Sequence, residues 1–274
     1  MVEKESVHKK YNFSVGDVSE VYAGPGGKLW ELLMGEEIHV GGAEHTDVLA
    51  QKIGLDGDGG EGLNLIDICS ALGGAVRHLA EKYGVNVFGL DITPEMVAEA
   101  KKRTEGKPYA EKIEYKIGSG LDIPAKPNTF DVVWGQDAWC YIRDKPRLIS
   151  EANRVLKKGG ILAFTDWIWG SATLTEEESD YLMEFMVFPD LQTLDGYKKL
   201  IEGEGLRIIE TEDLSDDFAS HVDIYVGILK ENKQNIIDGF GAELYEYAEG
   251  GLLAWQKASH EKKVGRGLFI AKKP

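Results

Sequence analysis

Asp67 closes one apolar run, Leu63-Asn64-Leu65-Ile66, and Asp91 closes the next, Val85-Asn86-Val87-Phe88-Gly89-Leu90. Between them lies a stretch of mostly small residues, Cys69-Ser70-Ala71-Leu72-Gly73-Gly74. A strand ending in an acid, a turn with little side-chain bulk, a helix and a second strand ending in an acid together suit a nucleoside. Ser70, Ala71, Gly73 and Gly74 would let peptide groups approach the ligand, and the helix starting near Gly74 would add its amide dipoles. Asp91 would accept both ribose hydroxyls. The loop lacks the G-x-G-x-x-G spacing of a dinucleotide site, which favours S-adenosylmethionine, whose sulfonium side chain presents no pyrophosphate. A plain strand-to-helix turn is the alternative.

A second group of reactive types follows another apolar run, Phe130 to Gly135, as Gln136-Asp137-Ala138-Trp139-Cys140-Tyr141. At a strand end these side chains reach the edge of the same crevice. Methyl transfer from a sulfonium is an in-line displacement, so positioning and exclusion of water lower most of the barrier. Asp137 could attract an ammonium group and take its proton, or cap the next turn. Trp134, Trp139, Tyr141, Trp167 and Trp169 all fall at or just past two strand ends, where rings around a methylated ammonium would each add roughly 0.5–2 kcal/mol of cation–π attraction. The competing reading packs alternate rings against the sheet. His39 and His221 are candidate substrate contacts, with hydrogen-bonded structural positions as the alternative. No cluster of His, Cys and acids has metal-ligand spacing, so no metal is expected.

These side chains need strands to carry them. Apolar runs of strand length recur at Leu63–Cys69, Val85–Asp91, Lys112–Gly118, Phe130–Gly135 and Ile161–Trp167, interleaved with helical patterns such as Pro94–Arg103 and Pro146–Leu156. That alternation predicts parallel βαβ units, and with strands at Leu206–Leu214 and Gly267–Lys272 it gives an α/β fold with a doubly wound, seven-stranded, mostly parallel sheet. The turn LKKGG, Leu156–Gly160, is expected to end a helix with a glycine cap. Residues 1–60 read as an N-terminal helical latch, 61–168 as the cofactor-binding core, and 169–274 as the rest of the sheet with helical lid insertions. Glu176–Glu178 read as the first turn of a lid helix after Thr175.

The chain has 274 residues, 43% of them apolar, enough for a large core. A net charge of −16 argues against nucleic acid or an anionic membrane as partner. Two cysteines, Cys69 and Cys140, are too few for a disulfide framework and are expected as buried thiols. With no hydrophobic leader and no long apolar run, a cytoplasmic location is expected. Monomer and homodimer stay open.

The pieces IDICSALGG, GLDIT, GSGLDIP, FDVVWGQDAWCY, LKKGGILAFTDW and GLFIAKK, in this order, resemble a class I S-adenosylmethionine-dependent methyltransferase over nearly the whole chain. The segment Tyr22–Gly42 narrows the resemblance to sarcosine/dimethylglycine N-methyltransferases and, more distantly, phosphoethanolamine N-methyltransferases. The resemblance implies a Rossmann-like fold that uses S-adenosyl-L-methionine and releases S-adenosyl-L-homocysteine. It implies that Asp67, Cys69, Ser70 and Gly73 hold the methionine moiety, Asp91 the ribose, and Ile92 and Met96 the apolar side of the adenine. Gln136 joins the cofactor contacts. Ser119 stands where the family commonly has an acid for the adenine amino group, so Ser119, the backbone at Gly120 and Leu121, or a displaced Asp122 would serve. Asp137 matches the carboxylate near the reacting amine and Tyr22 the tyrosine that latches the N-terminal segment, with Tyr141 at the place of the latch's histidine partner. Trp139, Trp167, Trp169, His39 and His221 complete the expected acceptor site.

A phosphobase needs cations for its dianion, whereas the lid stretch DLSDDFASHVD is acidic and offers only His221. The expected acceptor is therefore a small amine without phosphate, such as glycine, sarcosine or dimethylglycine in betaine osmolyte synthesis. Arg143, Lys28, Arg266 and His39 are candidates for its carboxylate. The alternatives are a methyltransferase for a phosphobase, a thiol or a thioether acid, and an NAD-dependent oxidoreductase or other nucleotide-binding protein.

Overall fold

A computed structural model describes residues 11–57 and 59–274. Period-two alternation builds the sheet's two faces. On β1 (Asn64–Ile68) Leu65 joins one core while Ile66 and Ile68 join the other, and on β4 (Phe130–Gln136) Val132 and Trp134 oppose Val133. Helices α3 (Gly42–Lys52), α4 (Gly74–Tyr83) and α5 (Pro94–Thr104) cover the first face, and α6 (Lys145–Val155) and α8 (Leu194–Gly203) the second. With β2 (Asn86–Asp91), β3 (Ile113–Ile117), β5 (Leu156–Trp169), β7 (Arg207–Asp213) and β8 (Val264–Lys272), the sheet order is β3-β2-β1-β4-β5-β8-β7. The first five strands are parallel, and β8 is antiparallel to both of its neighbours.

The eighth strand, β6 (Gln192–Thr193), is a two-residue piece paired with β5, too short to show as an apolar run. The turn expected at LKKGG is instead the first part of β5: α6 stops at Val155, and Gly159, at φ +80°, donates its N–H to Lys273 O at 2.8 Å.

A third core joins the N-terminal helices to those of the C-terminal half. Leu29, Trp30 and Leu33 of α2 (Pro25–Met34) pack in one cluster with residues of α7 (Glu176–Met186), α9 (Ser215–Glu231), α10 (Lys233–Phe240) and α11 (Ala242–His260). The Thr175 side chain and Glu178 form a capping box at the start of α7, and Lys263 holds Glu178 at 2.7 Å. Helix α1 (Val15–Ala23) carries the same device, Ser14 with Asp17, and crosses the mouth of the crevice. Among the described residues no helix is long and apolar enough to cross a membrane.

Candidate active site

The parallel strands end at a cavity of about 220 Å³, closed over by α1 and the loop between α2 and α3. Its floor begins at the loop after β1. Cys69 and Ser70 donate their N–H groups to Leu90 O at 2.8 and 3.0 Å, which ties that loop to β2. Cys69 and Ala71 take φ +69° and +45°, the left-handed region that favours glycine, and both face the cavity. The two glycines of the same loop serve the protein instead. A Cβ on Gly73 would lie 2.3 Å from Tyr115 Oη, and one on Gly74 2.6 Å from Glu36 O. The room expected for a ligand at Gly73 and Gly74 is thus filled by Tyr115 and the backbone of the cover loop.

Asp91 lines the cavity at the tip of β2. Its Oδ2 accepts from Ala71 N at 2.8 Å and its Oδ1 from Thr93 N at 2.9 Å, and the Thr93 hydroxyl and Ile92 N–H also lie against the carboxylate. Asp67 lies behind it, buried, its carboxyl pushed up to about 8 by desolvation and by the Asp91 charge. Ile92, Met96, Ser119, Gly120 and Leu121 line the far end. Ser119 Oγ accepts from Leu121 N at 3.1 Å and keeps its own proton to give. Asp122 faces a separate surface depression, which removes it as a substitute at this wall.

At the near end Tyr22 from α1 and Tyr141 after β4 meet. Their hydroxyl oxygens are 2.7 Å apart and their rings cross edge-to-face with centroids at 5.6 Å. Burial lifts both phenols above their usual range, so the pair stays un-ionised at neutral pH. A second tie, Ser19 Oγ to Thr93 Oγ1 at 3.1 Å, fastens α1 to the start of α5.

Residues 66–164, from β1 into β5, match the methyltransferase domain family. The chain carries a methyltransferase domain over these residues. A phosphoethanolamine N-methyltransferase 1 of Triticum aestivum is 29% identical over 253 residues, covering 92% of this chain and 49% of that protein. A glycine/sarcosine/dimethylglycine N-methyltransferase of Actinopolyspora halophila is 31% identical over 209 residues, covering 76% of this chain and 37% of that protein. The chain therefore spans about half the length, or less, of these curated relatives. The solved structure of Haemonchus contortus phosphoethanolamine N-methyltransferase 2, with phosphomonomethylethanolamine and S-adenosylhomocysteine, superposes with a TM-score of 0.87 at 23% identity, over 95% of this chain and 60% of that one. At that identity the likeness is one of fold.

Asp137 occupies the cavity wall through its backbone, at φ +55°, while its side chain turns inward and is 1% exposed. Oδ1 accepts from Arg266 Nε at 2.8 Å and Oδ2 from Val40 N at 2.9 Å. Burial would raise this carboxyl, but the adjacent guanidinium outweighs it and holds the group below the usual carboxylate range. The amine-facing base expected at Asp137 is, in this geometry, the buried partner of Arg266. Arg266 is equally committed, with Thr165 Oγ1 at 3.0 Å and His45 Nδ1 at 2.6 Å, so it is not a carboxylate donor for a ligand. Lys28 does not line the cavity; Arg143 does, and donates to Tyr11 O and, at 3.3 Å, to Asn12 Oδ1.

The expected cage of rings is not assembled around the cavity. Trp139, fully buried, stacks on Phe164 at 4.2 Å and gives its indole N–H to Ile68 O at 3.3 Å. Trp167 lies among Phe188, Phe218 and Trp255, and Trp169 packs in the same lid core. His39 bonds Thr46 Oγ1 at 3.0 Å beneath the cover loop, and desolvation drives its imidazole down to about 4. His221 sits on α9 beside His45, its Nδ1–H donating to Asp217 O at 3.0 Å. His45, Asp217 and His221 are close enough to suggest a metal, but Arg266 donates into His45 Nδ1, which leaves the proton on the Nε2 that a metal would need.

The lining also includes Val15, Val18, Glu37 and Ile38, which spacing within the sequence did not reveal, and Arg143, a sequence candidate for the acceptor's carboxylate. The capping box Ser14-x-x-Asp17 was the available signal for α1.

Proposed function

We propose that this chain transfers a methyl group from S-adenosyl-L-methionine to a small amine without phosphate, of the glycine, sarcosine or dimethylglycine kind. The observation that carries the reading is the character of the cavity. Glu37 and Asp91 face it, Tyr22 and Tyr141 close its near end, and Arg143 is the sole lining Lys or Arg among the described residues. An acid-rich cavity suits cationic ligands, and one guanidinium at the rim is a poor match for a phosphate dianion.

The residues present fit the cofactor. Asp91 presents its carboxylate at the cavity wall for the ribose hydroxyls, the left-handed backbone at Cys69 and Ala71 leaves that wall free of bulk, and Ile92, Met96 and Leu121 offer apolar surface for a purine. When bound, the sulfonium supplies an activated methyl that needs no metal. This chain's own residues hold the reactants in line and keep water out; Tyr22 and Tyr141, neutral and fixed to each other, shape the place of the acceptor nitrogen. No carboxylate base is needed for an amine that enters neutral. The phosphobase reading has the Triticum aestivum relative in its favour and the single lining guanidinium against it.

The test is a mass-spectrometric methylation screen over glycine, sarcosine, dimethylglycine, phosphoethanolamine and a thiol acceptor, with calorimetry of S-adenosylhomocysteine and NAD beside it. Methylation of phosphoethanolamine alone would overturn the acceptor assignment, and tight NAD binding without S-adenosylhomocysteine binding would overturn the reading as a whole.

A further inference from the structure

Gln136, the last residue of β4, lines the cavity with a side chain whose two ends are treated unequally. Its Oε1 accepts from Trp134 Nε1 at 3.0 Å and from Thr46 Oγ1 at 3.0 Å. An indole N–H can only donate, so the atom opposite it must be the carbonyl oxygen, and the orientation of the amide is settled by chemistry. Nε2 is then turned the other way. It is buried and has no hydrogen-bond partner among the described residues, although Gln136 is only 7% exposed. The arrangement is braced from behind. Thr46 spends its one hydroxyl proton on Gln136, so the contact from His39 Nε2 at 3.0 Å is a donation into Thr46 Oγ1. The other ring nitrogen then carries no proton for Val40 O, 3.2 Å away, the weaker of the two contacts.

Two N–H bonds without a protein partner, on a buried atom of a residue that lines an otherwise acceptor-rich cavity, call for an acceptor from the ligand. Glu37 and Asp91 bring only acceptor oxygens, and Arg143 stands at the rim. We propose that Gln136 Nε2 anchors the carboxylate of an amino-acid group, and that Thr46 and His39 are positioning residues that aim it. The ligand's identity rests on the methyltransferase reading, under which both the amino-acid end of the cofactor and an amino-acid acceptor have this chemistry. A phosphate-free amino-acid acceptor, with its carboxylate toward Gln136, fits the same distribution of charge.

Gln136→Glu is the sharpest test, because it keeps an oxygen for Trp134 and Thr46 and replaces only the unpartnered donor by an acceptor. Binding of S-adenosylhomocysteine and of 5′-methylthioadenosine, which lacks the amino-acid end, is followed by calorimetry, and KM and kcat are followed for sarcosine and for N-methylethanolamine. If the cofactor supplies the carboxylate, Gln136→Glu weakens S-adenosylhomocysteine by about ten- to a hundredfold, the span of one charge-assisted hydrogen bond, and leaves 5′-methylthioadenosine unchanged. If the acceptor supplies it, KM for sarcosine rises by that factor while S-adenosylhomocysteine is unaffected. Thr46→Val should reproduce a smaller loss on the same ligand and Thr46→Ser should restore it, which a merely structural role would not do. Kd and KM within about twofold of the parent for a Gln136→Glu protein of parental melting temperature would overturn the proposal. Absence of S-adenosylhomocysteine binding in the parent would instead overturn the methyltransferase reading beneath it.

Discussion

Replacing Arg266 with Met should be among the most damaging single changes in the molecule. The Arg266 side chain and its partner Asp137 are each 1% exposed, with Nε and Oδ1 at 2.8 Å. Removing the guanidinium also removes the bonds to Thr165 and His45, and leaves Asp137 with only the neutral Val40 N–H and Thr165 hydroxyl. Breaking a buried pair from one side costs about 3–5 kcal/mol, against roughly 5–15 kcal/mol of total stability. At about 2–4 °C per kcal/mol for a chain of this size, Tm should fall by roughly 6–20 °C. The pH dependence follows from the sign of the shift. In the parent the Asp137 carboxyl is held below the usual range, so its contribution is complete above an unfolded value of about 3.9 and disappears only as pH falls through the lower folded value. Without Arg266 burial dominates and the folded value moves above about 3.9, so the variant's penalty is absent in acid and grows as pH rises. The gap in Tm between parent and variant should therefore narrow from about pH 7.5 to about pH 4.5. Scanning calorimetry at both values, with Asp137→Asn and the double variant to close a cycle, measures this. A loss below about 1 kcal/mol near neutral pH, or a double variant no more stable than Arg266→Met, would refute the reasoning.

Asp91→Ala should abolish measurable S-adenosylhomocysteine binding in calorimetry, and near-parental affinity would remove Asp91 from the ribose role. Tyr22→Phe and Tyr141→Phe each delete the 2.7 Å hydroxyl contact and should lower kcat by up to about tenfold, with strong non-additivity in the double variant. Unchanged kcat in all three would mean that the pair only packs. His39, held near 4 by burial, binds its proton in the unfolded chain first, so its share of stability is full above about pH 6.5 and declines toward pH 4, by up to roughly 3 kcal/mol. Urea unfolding at a series of pH values should show a shallower acid limb for His39→Gln; identical slopes in the two proteins would contradict the burial argument.

The parts of the site that were legible in the sequence are those set by local geometry. A residue at or just after the carboxyl end of a parallel strand reaches the crevice whatever else the fold does, which is why Cys69, Asp91, Ile92 and Gln136 fall on the cavity wall. What failed was side-chain direction. Trp139 turns down because Gly135 leaves a slot for its indole, and Trp167 turns into the lid because Phe218 and Trp255, distant in sequence, wait for it there. Asp137 is the sharpest case. Its place at a strand end was plain, but its partner lies on a strand 129 residues later, and only that strand's register tells whether the carboxylate faces ligand or protein. Gly73 and Gly74 carry the same lesson, since bulk excluded there makes room for Tyr115 and the cover loop.

Strand β8 follows β5 and β7 in the chain yet lies between them in the sheet, paired with β5 from Ile161 to Trp169. A ribosome therefore delivers both flanking strands before the one that joins them, and each holds an unpaired backbone edge until it comes. Arg266 arrives on that same strand, so the crevice wall at Asp137 has no counter-charge until synthesis has passed Val264. The parallel half of the sheet can condense early, whereas the reactive end of the cavity is a late product of translation. Chains caught in that interval offer open strand edges to one another, which makes the time before β8 inserts the period of greatest demand on chaperones.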